Sequence, residues 1–357
     1  MSLEFTHETL GQRVLFGSGK AGQHLAEEIR TMGASKVMLI ASEAESAIAE
    51  SVARDVDVAL TYSDVAPHVP AEKAEKARSA AAEHGIDLLV SVGGGSTTGL
   101  AKAVALTSGL PIIAVPTTYA GSEATNVWGL TEGARKTTGI DSRVLPATVI
   151  YDADLTLSLP VELSVASGLN GLAHCVDSMW APRADPINAA LGAEGIRALN
   201  RGLPLIKQDP TGHEGREMAL YGAYLSAVAF ASAGSGLHHK ICHVLGGTWN
   251  MPHAETHATV LPYVLAFNAP QAPEAAARIA GAFGSDDAND GLRQLREALD
   301  APRALQDFGF KAEYIPEAVQ IILAAVPESN PRKCTPENLT TLLTAALQGD
   351  NPKILSD

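Results

Sequence analysis

Along the first half of the chain, short apolar runs rich in Val, Ile and Leu alternate with stretches of helical period. Residues 13–16 read as a strand, 20–31 as an amphipathic helix and 36–41 as a second strand. Residues 72–84 are Ala-rich with interspersed Lys and Glu and predict a solvent-facing helix. Residues 86–92 and 111–115 are apolar almost without alternation, the pattern of strands buried on both faces, and 96–107 between them predicts a helix. After Leu159-Pro160 the pattern turns helical with little interruption. Asp185-Pro186 supplies an N-cap followed by Pro at the first helical position, and Thr335-Pro336-Glu337 repeats the device before a helix ending at Gly349. Pro273, Pro316 and the spacing of Ala318, Val319, Ile322 and Leu323 predict further helices. Residues 218–233 carry no charge but are rich in Ala, Gly and Ser and shorter than the roughly 20 residues of a membrane span, so a buried central helix is expected.

Strands alternating with helices imply βαβ units on a parallel sheet. The expected fold is therefore α/β plus all-α, with a nucleotide-type parallel-sheet domain over residues 1–159 and a helical domain over 160–357. No repeat or low-complexity linker separates them, so an extensive shared interface with a cleft is expected.

Composition narrows the function classes. With 46% apolar and 18% charged residues over 357 positions, the chain can bury a large core, which excludes disorder and a small stapled scaffold. The 26 Lys and Arg are scattered against 40 Asp and Glu, a net charge of −14, which argues against nucleic acid as a partner. Three cysteines, Cys175, Cys242 and Cys334, fit a reducing compartment, with Cys242 read as a small buried thiol. The N-terminus has no basic segment leading into an apolar one, so a cytoplasmic location is expected.

Three glycine-rich turns follow predicted strands. Gly17-Ser-Gly19-Lys-Ala-Gly22 matches G-x-G-x-x-G, a pattern shared by phosphate sites and ordinary strand-to-helix turns. A dinucleotide reading asks for an acid at the end of the next strand, where Ser42-Glu43 stands; Ser42 leaves room for a 2′-phosphate, so NADH and NADPH both remain open. Gly93-Gly94-Gly95-Ser96-Thr97-Thr98 runs from a buried strand into a helix and leaves backbone amides open to a diphosphate. Pro116-Thr117-Thr118-Tyr119-Ala120-Gly121-Ser122-Glu123 follows the next buried strand and reaches the same carboxyl edge, where open α/β sheets bind ligands.

Of the 11 histidines, seven lie between His174 and His257, five of them from His238 onward. His239 and His243 share a helical face, His253 follows a Gly246-Gly247 break, and Asn170 and His174 form a second i, i+4 pair. Read alone, the set suggests a metal site on facing helices, since three imidazoles with a water suffice for zinc or iron. His238 and His257 read as core or solvated histidines, and His7, His24, His68, His84 and His213 as surface residues.

Gly-Gly-Gly-Ser with Ala101-Lys102, Pro116-Thr-Thr with Gly121-Ser-Glu123, Lys136, Tyr151-Asp-Ala-Asp-Leu155, and His239-x3-His243-x9-His253 together resemble the iron-containing alcohol dehydrogenase family, from about residue 11 to the C-terminus. The resemblance implies a Rossmann-like domain followed by a helical one, with NAD(P) in the cleft between them. It implies diphosphate contacts at Gly93, Gly94, Gly95 and Ser96, ribose and nicotinamide contacts at Thr117 and Thr118, and Lys136 and Leu155 beside them. That family holds its metal with an aspartate and three histidines. Here the aspartate position is Asn170 and the histidines are His174, His239 and His253; the aspartate usual in the helix after Gly-Gly-Gly-Ser is Gly99. Asn170, with Tyr119 and His238-His239-Lys240, resembles the maleylacetate-reducing branch of the family, understood to act without a bound metal.

That branch fits the donor set. Alcohol oxidation develops a strongly basic alkoxide, whereas hydride addition to the alkene carbon β to the ketone of a 4-oxo-2-enedioate develops a far less basic enolate, which imidazoles can stabilise. The expectation is NADH- or NADPH-dependent reduction of maleylacetate to 3-oxoadipate in degradation of aromatic compounds. His243 or His253 would face the enolate oxygen, His174 and His239 complete the site, and Lys240 meets a carboxylate of this small dicarboxylate substrate. Arg143 is a further candidate cation. A homodimer without membrane contact is expected. The alternative is a metal-dependent alcohol or glycerol-type dehydrogenase using His174, His239 and His253.

Overall fold

The structure, a computed structural model, describes residues 4–133 and 135–356, with the side chains of Arg135 and Lys136 outside the described set. The described residues form two compact units, one over residues 10–159, the other over residues 160–356 together with residues 4–9.

The first unit contains β1 (Arg13–Phe16), α1 (Ala21–Met32), β2 (Val37–Ile40), α2 (Ser46–Val52), β3 (Val58–Tyr62), α3 (Ala71–Glu83), β4 (Leu88–Gly93), α4 (Gly95–Ser108), β5 (Ile112–Pro116), β6 (Val127–Glu132), β7 (Arg135–Ile140) and β8 (Thr148–Tyr151). Six strands pair in the order β1-β8-β5-β4-β2-β3, all parallel, and β6 and β7 form a separate antiparallel pair. The unbroken apolar runs have a simple cause. In β2, Val37 and Leu39 pack with Leu25 and Ile29 of α1 and Val52 of α2, while Met38 and Ile40 pack with Ala74, Ala77 and Leu100 of α3 and α4. Both faces of the sheet are covered, so neither can be polar.

The second unit is helical: α5 (Val161–Ser178), α6 (Pro186–Gln208), α7 (His213–Ala233), α8 (Leu237–Trp249), α9 (His253–Asn268), α10 (Pro273–Phe283), α11 (Ala288–Leu299), α12 (Ile315–Ala325) and α13 (Pro336–Gln348). Helices α6 and α7 approach closely because glycines face each other: a β-carbon at Gly202 would lie 2.9 Å from the amide nitrogen of Ala219. The caps expected from sequence form. Asp185 accepts from the amides of Ile187 and Asn188 at 2.8 and 2.9 Å, and Thr335 forms a reciprocal capping box with Asn338. No helix among the described residues is long and apolar enough to cross a membrane; α7, which contains the uncharged stretch, buries Ala219, Leu220, Ala223 and Ala227.

Two details differ from expectation. Residues 4–9 cluster with the helical unit, and His7 is no surface residue: its Nδ1 lies 2.8 Å from Asp185 Oδ2, with side-chain exposures of 11% and 2%. The helix carrying His239 does not break at Gly246-Gly247 but runs on to Trp249, and the turn falls at Asn250, which adopts the left-handed conformation with φ 51°. Asn tolerates that conformation better than most residues, so it ends the helix where the glycines do not.

Candidate functional site

In the first unit, β4 delivers its glycines to the carboxyl edge of the sheet. Gly93 has φ 153°, and a β-carbon there would lie 2.6 Å from Thr97 Oγ1, so only glycine fits. Gly94 caps α4, and its carbonyl accepts from the amides of Thr97 and Thr98. The amides of Gly95 and Ser96 remain without a partner among the described residues and stand at the positive end of a 14-residue helix. These donors fit a diphosphate. Thr117 is buried at the end of β5 and donates to Glu45 at 2.9 Å, and Thr118 packs beside Gly94. Leu155 is half-buried against the core that contains Ala21 and Leu25. Lys136 is on β7, but its side chain lies outside the described residues.

The other glycine motif is closed. Asp152 accepts from the amides of Gly19 and Ala21 at 2.8 and 2.9 Å, so a resident carboxylate fills the turn before α1. Gly17-x-Gly19-x-x-Gly22 is therefore a strand-to-helix turn on an edge strand. Gly99 also acquires a reason: a β-carbon there would lie 2.8 Å from Val69 Cγ2, leaving no room for an aspartate. Lys102 is fully buried, and its ammonium donates to the carbonyls of Ser122, Thr125 and Val127 at 2.6 to 2.9 Å, pinning the segment that follows β5. Burial pulls it down to about 7, opposed by the charge of Glu123.

In the second unit, α8 and α9 bring five histidines together and α5 adds a sixth. Ring centroids lie 4.8 Å apart for His174 and His239, 5.0 Å for His239 and His257, 4.4 Å for His253 and His257, and 6.0 Å for His239 and His243. His174, His238, His239 and His257 are buried, whereas His243 and His253 are exposed. Burial pushes His174 and His238 down to about 3 and His239 and His257 well below the usual range, so the buried rings are neutral. Lys240 is half-buried on α8 and makes no ion pair among the described residues; Arg143, by contrast, is held by Asp141 at 2.6 Å.

Two members of this group were not foreseen. Asp177, buried on α5 one turn beyond His174, accepts from His239 Nδ1 at 2.7 Å and from the amide of Gly236 at 2.8 Å. Burial raises its carboxyl to about 7, opposed by the amides of Gly236, His239 and His238. An acid three residues after a candidate histidine, in a helix with one other acid, was the available signal. His257 sits among the other rings, and its Nδ1 lies 3.0 Å from His238 Nε2; its i, i+4 spacing from His253 was the signal there. Among the described residues, three ligand-type atoms gather within 4.8 Å at His238, Cys242 and His257. Burial pushes the Cys242 thiol well up, which agrees with an inert core thiol.

The donors do not fit a hard Fe²⁺ ion. Asn170 places a neutral amide where the family resemblance implies a carboxylate, and its Oδ1 is buried without a partner among the described residues. Asp177, also on α5, accepts from His239 Nδ1 and the Gly236 amide through Oδ2, while its Oδ1 is buried without a partner among the described residues. The Oδ1 of Asn170, Nδ1 of His174 and Nε2 of His239 and His257 are buried polar atoms left for some other polar partner.

Comparison with known proteins agrees with this layout. The profile described as iron-containing alcohol dehydrogenase matches residues 11–153, and that of the Fe-containing alcohol dehydrogenase family, C-terminal, matches residues 164–347. A maleylacetate reductase of Sphingobium indicum is 44% identical over 98% of this chain and 99% of its own. The crystal structure of an iron-containing alcohol dehydrogenase from Corynebacterium glutamicum superposes with TM-score 0.99 at 64% identity, covering 100% of both chains. That of a maleylacetate reductase from Rhizobium sp. strain MTP-10005 superposes with TM-score 0.92 at 40% identity, over 98% of this chain and 99% of that one.

Proposed function

The chain belongs to the iron-containing alcohol dehydrogenase family, and from that premise we propose that it is an oxidoreductase that reduces maleylacetate to 3-oxoadipate with NADH or NADPH, in degradation of aromatic compounds. The observation that carries this reading is a buried cluster of neutral imidazoles with an amide, Asn170, in the place of the anionic ligand. Such a site suits a weakly basic enolate better than an alkoxide.

The open amides of Gly95 and Ser96 hold the dinucleotide by its diphosphate. Bound reduced nicotinamide supplies a hydride to the alkene carbon β to the ketone. The alkene electron pair then moves onto the ketone oxygen as an enolate, toward which His243 or His253 directs an N–H. Both of these rings reach water and can exchange protons with it, so they also supply the proton that the α-carbon takes up as the enolate collapses to the ketone. Asp177 holds His239 in one orientation with its Nε2 directed away from the carboxylate. Lys240 meets one substrate carboxylate. No step needs a metal, and the protein works as a cytoplasmic homodimer.

The test follows absorbance of NADH and NADPH with maleylacetate before and after exhaustive chelation, with elemental analysis of the same sample. Turnover that survives chelation in a metal-free sample is the expected result. Loss of turnover restored by Fe²⁺ or Zn²⁺ would instead establish the metal-dependent reading, and no oxidation of either dinucleotide would end the present one.

A further inference from the structure

Glu45 has no part in the reaction described above, yet its carboxylate lies inside the glycine-rich turn. It stands in a short turn five residues beyond β2, whose carboxyl end neighbours that of β4 in the sheet. Four donors converge on it: the Gly94 amide at 3.0 Å, Thr97 Oγ1 at 3.1 Å, Thr117 Oγ1 at 2.9 Å and Ser42 Oγ at 2.8 Å. One carboxylate thus ties the ends of β2, β4 and β5 together. It takes the Gly94 amide and leaves those of Gly95 and Ser96 open.

This arrangement bears on the choice of dinucleotide, and it rests on the reading that the first unit binds one. When a diphosphate sits on the amides after the glycine-rich strand, the adenosine ribose extends toward the carboxyl end of the neighbouring strand. By sequence that end offers Ser42, short enough to admit a 2′-phosphate. In the structure the Ser42 hydroxyl is turned onto Glu45, and the turn from Ser42 to Ser46 carries two glutamates and no cation. A ribose 2′-hydroxyl can donate to the Glu45 carboxylate in place of the Ser42 hydroxyl. A 2′-phosphate brings up to two further negative charges against it with nothing to offset them. We propose that Glu45 is the specificity residue of the dinucleotide site, standing in for the acid absent at position 42 and selecting NADH over NADPH.

Equilibrium titration of the whole protein with NADH and with NADPH, read by nicotinamide fluorescence, tests this without turnover. The wild type is expected to bind NADH at least about tenfold tighter than NADPH. Glu45→Gln, which keeps the shape and one acceptor oxygen and removes the charge, is expected to narrow the ratio to within about threefold, chiefly by tighter NADPH binding, and Glu45→Arg to favour NADPH. Because each result is a ratio within one protein, a loss of stability shared by both titrations cancels. Equal wild-type affinities, or a Glu45→Gln variant that weakens both dinucleotides in parallel, would overturn the assignment and leave the dinucleotide reading intact. Binding of neither by the wild type would overturn both.

Discussion

His239 Nδ1 lies 2.7 Å from Asp177 Oδ2, with both side chains almost wholly shut off from water. The carboxylate orients the imidazole by fixing which nitrogen carries the proton, and so leaves Nε2, buried without a partner among the described residues, as the unprotonated nitrogen. Replacing Asp177 by Asn removes the charge and lets the amide present either its oxygen or its NH₂ to the ring. The expected result is a fall in kcat/KM for maleylacetate of about 10- to 100-fold with dinucleotide affinity unchanged, measured by steady-state kinetics beside direct NADH titration.

The missing anion can be put back. Asn170→Asp places a carboxylate on the same face of α5 as His174, one turn away. The variant is expected to retain Fe²⁺ or Zn²⁺ through gel filtration at close to one ion per chain and to gain oxidation of a simple alcohol, whereas the wild type is expected to do neither. Elemental analysis gives the first readout and NAD⁺ reduction the second. A variant that binds no metal would show that the amide is not what sets the donor set against it.

Lys240 offers a separate handle on the substrate. It is the cation next to His239 on α8, half-buried and without an ion pair among the described residues, in a protein whose net charge of −14 opposes a dianion. Lys240→Met keeps the apolar stem and deletes the charge. KM for maleylacetate is expected to rise about tenfold or more while KM for NADH stays within about twofold, the pattern of a lost binding contact.

Stability at low pH depends on the N-cap of α6. Burial alone would raise the Asp185 carboxyl, but the amide of Asn188, the His7 side chain and the amide of Ile187 outweigh it and hold the group below the usual carboxylate range. The folded state therefore binds fewer protons than the unfolded one. This stabilisation is present above the unfolded value of about 4 and is lost as pH falls through the lower folded value. Asp185→Ala is expected to cost about 1–2 kcal/mol at pH 7, and the gap from the wild type to narrow below about pH 4. Thermal unfolding from pH 7 down to 3 checks both.

Local signals carried much of the fold. Residues 13–16 form β1 as read, and the helix ends at Gly349 where expected. Strands β3 and β8 were not singled out; β8 is four residues long and lies between β1 and β5 in the sheet. So short a segment gains its identity from neighbours distant in sequence, which no local window contains. In the site, the glycines and most of the histidines were legible because their chemistry is written in spacing. Asp177, His257 and Glu45 were not assigned roles, since an acid or an imidazole in a sequence does not say what it faces.

By itself, then, the sequence determined which residue types share a strand end or a helical face, and the family resemblance it carries implied that Asn170 stands where an aspartate is usual. It also left two glycine-rich turns as candidates for a phosphate, the one after β4 the stronger. Tertiary structure decided between them by where carboxylates come to rest: Asp152, 131 residues from Ala21, closes the first turn, while the second keeps two amides open beside Glu45, 49 residues from Gly94. A backbone amide is available to a ligand only if no side chain from elsewhere has already taken it, and that depends on packing across the sheet rather than on order along the chain.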